Sequence, residues 1–310
     1  MPERARAALG FGFKIGHSTN DEARTGCTVI LPPPGNVASC EIRGSSPGTR
    51  EVEQLHPDRR LTEIHGLVLT GGSAFGLAVA DGVQAWLEEK GIGYQTAVGV
   101  VPIVPAAVIF DLSVGDPAVR PGADQGRAAC ETAIEGPVTT GLVGAGTGAT
   151  VGKWAGRPYA SPGGIGIARV DAEGMRVAAL AVVNSVGDIV DGEGNVIAGT
   201  RADHPRFQPP GPPDAEIPTN TVLGVVAVKA TLDKREVRWL AARGADGITV
   251  SVVPAHTRYD GDVVFAVAAP ADTDTPPANL DIMGALATEA MAAAVRNAVV
   301  DDKPAPAGPV

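Results

Sequence analysis

The sequence predicts a layered α/β fold in which sheets are covered by helices, and three observations carry that expectation. Short apolar runs of strand length lie both before and after a proline-rich connector. Helical patterns stand between pairs of those runs, as they do where helices cover a sheet. Small residues dominate: 40 glycines stand against 4% aromatics, so Val, Ala and Gly must build the layers by close backbone approach rather than by ring packing.

Taken in order, residues 10 to 43 alternate glycine-punctuated and apolar segments, which predicts hairpin-type β-structure. The clearest strand there is Cys27-Thr28-Val29-Ile30-Leu31, closed by Pro32-Pro33-Pro34-Gly35. Ile64-His65-Gly66-Leu67-Val68-Leu69 reads as a buried strand, followed by Thr70-Gly71-Gly72-Ser73 and a helix from Ala74 to Lys90 that Gly91 stops. Val98 to Phe110 is broken by Pro102 and Pro105 into a short strand, a turn and another strand. Between Thr139 and Trp154 the glycines at 141, 144, 146, 148 and 152 exclude a helix interior and predict a surface or site-lining loop. Gly164 to Val170 and Arg176 to Asn184 are two further strands, and Asn184-Ser185-Val186-Gly187-Asp188 turns the chain.

From His204 to Pro218 six prolines (Pro205, Pro209, Pro210, Pro212, Pro213, Pro218) exclude both helix interior and central strand, so 204–218 is a mobile connector. It leads through Thr219 and Asn220 into the strand Thr221-Val222-Leu223-Gly224-Val225-Val226-Ala227-Val228. Two readings of this junction stand open. Thr221 either starts a strand after a loop, or is exposed as a new N-terminus when the chain is cut before it, its free α-amine (pKa about 7.7–8.0) then serving as base for its own hydroxyl. Beyond it, Asp233 to Arg243 reads as an amphipathic helix capped by Asp233 and ended by Gly244. Ile248 to Val253 and Asp262 to Ala269 read as strands, Leu280 to Val299 as a small-residue helix, and Asp301 to Val310 as a disordered tail.

Composition narrows the function. At 310 residues the chain can make one large domain or two small ones, and 44% hydrophobic against 19% charged residues suit a sizeable core. A net charge of −10 argues against nucleic acid and anionic membranes as partners, since nothing supplies the basic patch both require. Cys27, Cys40 and Cys130 have neither disulfide-framework nor zinc spacing, and the scattered histidines give no metal site. With no apolar signal segment or membrane-length run, the sequence reads as cytoplasmic and cofactor-free.

Four motifs bear on chemistry. Gly71-Gly72-Ser73-Ala74-Phe75-Gly76 misses the nucleophile-elbow pattern because Phe75 stands where glycine is required; its amides suit an anion or oxyanion, with a purely structural serine cap as the alternative. Gly144 to Lys153 misses the phosphate-loop pattern at Thr147 and Trp154. Lys153, at the end of that loop, is either a solvated lysine or a desolvated one available to catalysis. Asp260 and Asp262, in Tyr259-Asp260-Gly261-Asp262, put two carboxylates at a strand entrance, or form an ordinary acidic turn.

Together Leu69 to Leu77, Gly152-Lys153, Leu180 to Gly187, Asn220-Thr221, Asp260-Gly261-Asp262 and Phe265-Ala266 resemble the family of N-terminal-nucleophile hydrolases that includes L-aminopeptidase/D-esterase, the β-peptidyl aminopeptidases and the nylon-oligomer (6-aminohexanoate) endo-hydrolase. The resemblance implies a four-layer αββα sandwich formed by the whole chain, 1–310, which cuts itself between Asn220 and Thr221 into 1–220 and 221–310. It implies a hydrolase of amide bonds in aminopeptidase or nylon-oligomer substrates, with processed protomers assembled as a homo-oligomer, a tetramer. It gives Thr221 the role of nucleophile, flanked by Lys153 and Asn184 and positioned by Asp260 and Asp262. Gly71, Gly72, Ser73 and Phe110 fall in the substrate and oxyanion region, and Phe110 stands where some members carry a tyrosine. Two rival expectations are an ornithine acetyltransferase-like enzyme, whose Ala-Thr-Met-Leu run is absent, and a non-catalytic binding protein on the same fold.

Overall fold

The computed structural model describes residues 5–203 and 220–299; the expected connector at 204–218 and the tail at 301–310 lie outside the described residues. In chain order the strands that build the two main sheets are β1 (Lys14–Asn20), β2 (Thr25–Leu31), β3 (Val37–Ile42), β4 (Thr49–Arg50), β5 (Leu67–Thr70), β6 (Ala106–Val108), β7 (Ile134–Glu135), β8 (Gly164–Ala172), β9 (Met175–Asn184), β10 (Thr221–Lys229) and β11 (Val263–Ala269). The helices that cover them are α1 (Val79–Glu89), α2 (Ala123–Glu131), α3 (Lys234–Thr249) and α4 (Leu280–Asn297).

One sheet has the order β7-β1-β2-β5-β6-β4 and the other β8-β9-β10-β11-β3. Each contains one parallel pair, β5 with β6 and β10 with β11, and all other neighbours are antiparallel. A parallel pair needs a crossover, and α1 and α3 lie within the two connections.

The layers follow from side-chain alternation. Along β9, Val177, Ala179, Ala181 and Val183 join a core with α3 and α4, whereas Ala178, Leu180 and Val182 turn to the other sheet. β10 divides in the same way, with Val222, Val226 and Val228 on one face and Leu223, Val225 and Ala227 on the other. Burial on both faces is why this run reads as continuously apolar, each fully buried Val or Leu contributing about 1.5–3 kcal/mol. On the outer face of the first sheet, Cys27, Val29 and Val68 pack with Val79, Val83 and Leu87 of α1 and Ala129 and Cys130 of α2. The result is the four-layer αββα sandwich that the resemblance implies.

Four local expectations need correction. Gly244 does not end α3: it faces β10, where a Cβ would lie 2.7 Å from Val226 Cγ2, so its bareness admits the helix to the sheet. Ala241, Gly244, Ala245 and Ile248 are buried along one face of α3, at the helical spacing i, i+3, i+4, i+7. The strand expected over Ile248 to Val253 therefore shrinks to Val252–Val253. The expected strand at Ile64 to Leu69 pairs only from Leu67. Most of the glycine-rich stretch from Thr139 to Trp154 is buried, so of the two alternatives expected for it the surface loop is the one that fails. α2 has no counterpart in the sequence reading because its polar run Ala-Asp-Gln-Gly-Arg lacks an apolar stripe; it meets α1 through Gly82 and Gly126 instead.

Candidate active site

Thr221 opens β10, and the register of the sheet sets its neighbours. It lies directly opposite Asn184, the last residue of β9, while Asn220 bridges to Asp260 just before β11. Both residues of the Asn220–Thr221 peptide are buried. The Thr221 hydroxyl donates to the Asn220 carbonyl oxygen at 2.5 Å, and the Gly261 amide donates to the same oxygen at 2.9 Å. A Cβ at position 261 would sit 2.6 Å from the Ser46 carbonyl oxygen and 2.9 Å from Thr221 Oγ, so glycine is what lets this amide reach the peptide.

The two aspartates are buried and play different parts. Asp262 accepts from the Val222 amide at 2.6 Å through one carboxylate oxygen and contacts His256 Nδ1 at 2.7 Å through the other. One oxygen of Asp260 accepts from the amide and hydroxyl of Thr257 at 2.8 and 2.7 Å. The Val186 amide also faces this carboxylate, whereas Nδ2 and Oδ1 of Asn220 are buried and find no partner among the described residues. Burial, reinforced by the charge of Asp262, pushes the Asp260 carboxyl up to about 6. An acidic turn at the surface is therefore not what these residues form.

Lys153 follows Gly152 into a short 3-10 turn and is 3% exposed, which removes the solvated alternative. Its Nζ donates to both oxygens of Asn184, the backbone carbonyl at 3.0 Å and Oδ1 at 2.7 Å. Burial, then the nearby Arg157, hold this amine well below its usual pKa, while Asp260 pulls the other way. A neutral lysine amine has two N–H groups and one lone pair, so with both donors used the lone pair can take a proton. Asn184 Oδ1 also accepts from the Thr150 amide at 3.0 Å, and its Nδ2 donates to the Phe110 carbonyl at 3.3 Å.

The Gly71-Gly72-Ser73 turn needs correcting as an oxyanion region. Its three amides donate to Gly26 O, to Asp111 Oδ1 at 2.7 Å and to Ile109 O respectively, so none is free to hold an anion. Ser73, at φ 53°, begins a 3-10 turn and lines a cavity of about 360 Å³ with Phe110, Asn220, Thr221, Arg258 and Tyr259. A larger cavity, about 670 Å³, lies at the opposite end of β10, but both of its cations already pair with carboxylates of the same cavity, Lys229 with Asp272 and Arg176 with Asp171. Chemistry rather than size selects the smaller one. Sequence reading missed His256 and the amide of Gly261; only the Asp-Gly-Asp spelling, with glycine between two carboxylates, signals the second.

Among the described residues there is no group of three or more His, Cys, Asp or Glu side chains that could hold a metal ion, and no helix is long and apolar enough to cross a membrane. The sequence model of Peptidase family S58 matches residues 11–307. An uncharacterized aminopeptidase of Mycobacterium leprae (strain TN) is 41% identical over 95% of this chain and 84% of its own length. The 6-aminohexanoate-oligomer endohydrolase of Agromyces sp. (strain KY5R) is 30% identical over 93% of this chain and 84% of its own length. Among solved structures, the L-aminopeptidase D-Ala-esterase/amidase of Ochrobactrum anthropi, a variant of the Ntn hydrolase fold, superposes with a TM-score of 0.71 at 19% identity, covering 96% of this chain and 88% of that one. The sandwich just described is thus the Ntn-hydrolase fold, and the chain belongs to peptidase family S58 as a hydrolase of amide or peptide bonds.

Proposed function

We propose that this hydrolase makes its own nucleophile by cutting between Asn220 and Thr221, and then hydrolyses short amides or peptides through an ester on Thr221. The observation that carries the reading is the state of that one peptide bond. Its carbonyl oxygen is contacted by the Thr221 hydroxyl and the Gly261 amide, and two buried polar atoms beside it, Nδ2 and Oδ1 of Asn220, have no partner among the described residues. An unsatisfied buried group costs about 1–3 kcal/mol, a cost that release of Asn220 would remove.

In the first stage Thr221 Oγ attacks the Asn220 carbonyl carbon and gives up its proton, for which the Lys153 lone pair is suited. Negative charge develops on the oxygen that Gly261 already contacts. Collapse breaks the C–N bond, returns a proton to the nitrogen to free the Thr221 amine and leaves an ester on Oγ; water then hydrolyses the ester to an Asn220 carboxylate and the Thr221 hydroxyl. In the second stage that amine takes the hydroxyl proton, Oγ attacks the substrate carbonyl, and the proton passes to the departing amine. Water admitted to the site hydrolyses the acyl-enzyme. Asn184, opposite Thr221, holds Lys153 in place through its Oδ1.

At about 360 Å³ the cavity is near the lower bound of small-molecule sites, ~300–1,000 Å³, which suits a short acyl group against Pro47, Val108 and Phe110. Substrates of this form include peptides, simple amides and amide oligomers. The test is direct. Purified protein should resolve into pieces of about 22 and about 9 kDa, in proportion to residues 1–220 and 221–310, using near-uniform mass per residue. N-terminal sequencing of the small piece should begin at Thr221, and Thr221→Ala should remain one inactive chain. A different start, or efficient cutting of Thr221→Ala, rejects this nucleophile.

A further inference from the structure

The loop that carries the two aspartates also brings up His256, and both of its ring nitrogens face acceptors. Nδ1 lies 2.7 Å from Asp262 Oδ2 and Nε2 lies 3.1 Å from the Ala245 carbonyl oxygen. A neutral imidazole has one N–H and can serve only one of them, whereas the imidazolium serves both. Ala245 belongs to the last turns of α3, which ends at Thr249, and carbonyls at a helix C-terminus favour a cation. The second oxygen of Asp262 accepts from the amide of Val222, the residue after Thr221.

We propose that His256, as an imidazolium held between the C-terminal end of α3 and Asp262, is a positioning residue for the nucleophile. It keeps Asp262 ionised and aimed at the Val222 amide, fixing the backbone on one side of Thr221 while Gly261 fixes the Asn220 carbonyl on the other. This role rests on the reading of Thr221 as nucleophile.

The charges around His256 come from three elements. Its own loop supplies Asp260 and Asp262, the end of β3 supplies Arg43, and α3 supplies Asp246, which pairs with Arg43 at 2.6 Å and with Arg243. Burial and Arg43 oppose the imidazolium, but the hydrogen bond and charge of Asp262, with the Ala245 carbonyl, outweigh them and hold His256 above its ordinary pKa. A histidine whose folded pKa is raised stabilises the fold fully below the unfolded value of about 6.5, and that contribution is lost as pH rises through the folded value. The clamp therefore loosens on the alkaline side.

Two variants separate charge from shape. His256→Asn keeps an N–H toward Asp262 and tolerates the left-handed backbone there, φ 52°, but carries no charge. His256→Ala removes the donor as well. Self-cleavage and amide turnover of the wild-type chain should fall at alkaline pH, and that fall should be missing from His256→Asn. His256→Ala should slow self-cleavage by about 10- to 100-fold, the scale on which removing an outer partner acts. Nitrogen NMR of the imidazole in uncut Thr221→Ala protein should show both ring nitrogens protonated at neutral pH, and only one after Asp262→Asn. A singly protonated ring in that uncut chain, or the same alkaline fall in His256→Asn, overturns the proposal. If His256→Ala does not fold, the other two measurements still decide. Self-cleavage that persists in Thr221→Ala would reject the nucleophile, whereas a singly protonated ring in a Thr221→Ala chain that stays whole rejects the clamp alone, so the two failures are distinguishable.

Discussion

The two β–α–β units reach the active site from opposite directions. The parallel pair β5 and β6 presents its carboxyl ends, followed by the Gly71-Gly72-Ser73 turn and by Phe110, as ligand sites on open α/β sheets usually do. The pair β10 and β11 presents its amino ends, preceded by Asn220 and by Asp260 to Asp262. The first half offers amides that are already bonded to Gly26, Asp111 and Ile109, which makes it a wall. The second half offers a hydroxyl on a peptide carbonyl, an amide aimed at the same oxygen and an Asn220 side chain with no partner among the described residues. Cutting a chain after a strand leaves a carboxylate at that end, while cutting before one leaves an amine on its first residue. Only the reversed pair can yield the base that a threonine nucleophile needs.

If the chemistry belongs to the second half, variants there should dwarf those in the first. Gly261→Ala should do the most damage after loss of Thr221 itself. Its Cβ has no room beside Ser46 O and Thr221 Oγ, and self-cleavage followed on gels should slow on the order of 10²–10³-fold, the effect of an oxyanion donor lost. A normal rate would mean that another group activates the carbonyl. Lys153→Met, outside both units but bonded to Asn184 opposite Thr221, is similar in length but unable to take a proton and should lower turnover about 10²-fold, at the low end of general-base effects, with the near-ultraviolet circular dichroism of the folded chain retained. Unchanged kcat would take Lys153 out of proton transfer.

Asp260 tests the uncut state by pH. Its carboxyl is raised to about 6 in the fold, so the folded chain binds that proton more tightly than the unfolded one. The associated stability is present below about 4 and is lost as pH rises through 6, a change of about 1–3 kcal/mol. In uncut Thr221→Ala protein, thermal melts should show this slope between pH 4 and 6, and adding Asp260→Asn should flatten it. An undiminished slope would assign the proton to another group. Ser73→Ala, in the wall, should have the smallest effect, under about tenfold and mostly in KM, as expected for a contact made equally in ground and transition states. A large fall in kcat there would erase the distinction between the two halves.

How much was legible in the sequence follows the same division. β10 was plain because burial on both faces gives an unbroken apolar run, and Asp233 announced α3 by its cap, which accepts from the amides of Arg235 and Glu236. The partnership of Thr221 with Asn184, Lys153, Asp260 and Asp262 entered by family resemblance. The geometry that joins them is sheet register and a left-handed Gly152, neither of which has a periodicity to read. Lys153 looked solvated because its burial depends on a loop packed beneath β9. His256 was unreadable for a related reason: its acceptors lie six residues ahead and on a separate helix. Gly244 misled because a glycine that admits a strand to a helix and one that ends a helix are spelled alike.

The strand order of the second sheet has a consequence for how this molecule can be made. β10 and β11 lie between β9 on one side and β3 on the other, so a cut before Thr221 leaves the small piece inserted between two strands of the large one. Assembly of that sheet is unimolecular while the chain is whole. Once cut, the pieces could rebuild it only by meeting in solution, without the effective concentration, on the order of millimolar, that a covalent link supplies. A protein matured by that cut would be an heirloom of its precursor's folding. Its persistence would be governed by how slowly it comes apart rather than by how readily it re-forms, and an organism that needed more of it would have to translate new chains instead of rescuing old ones.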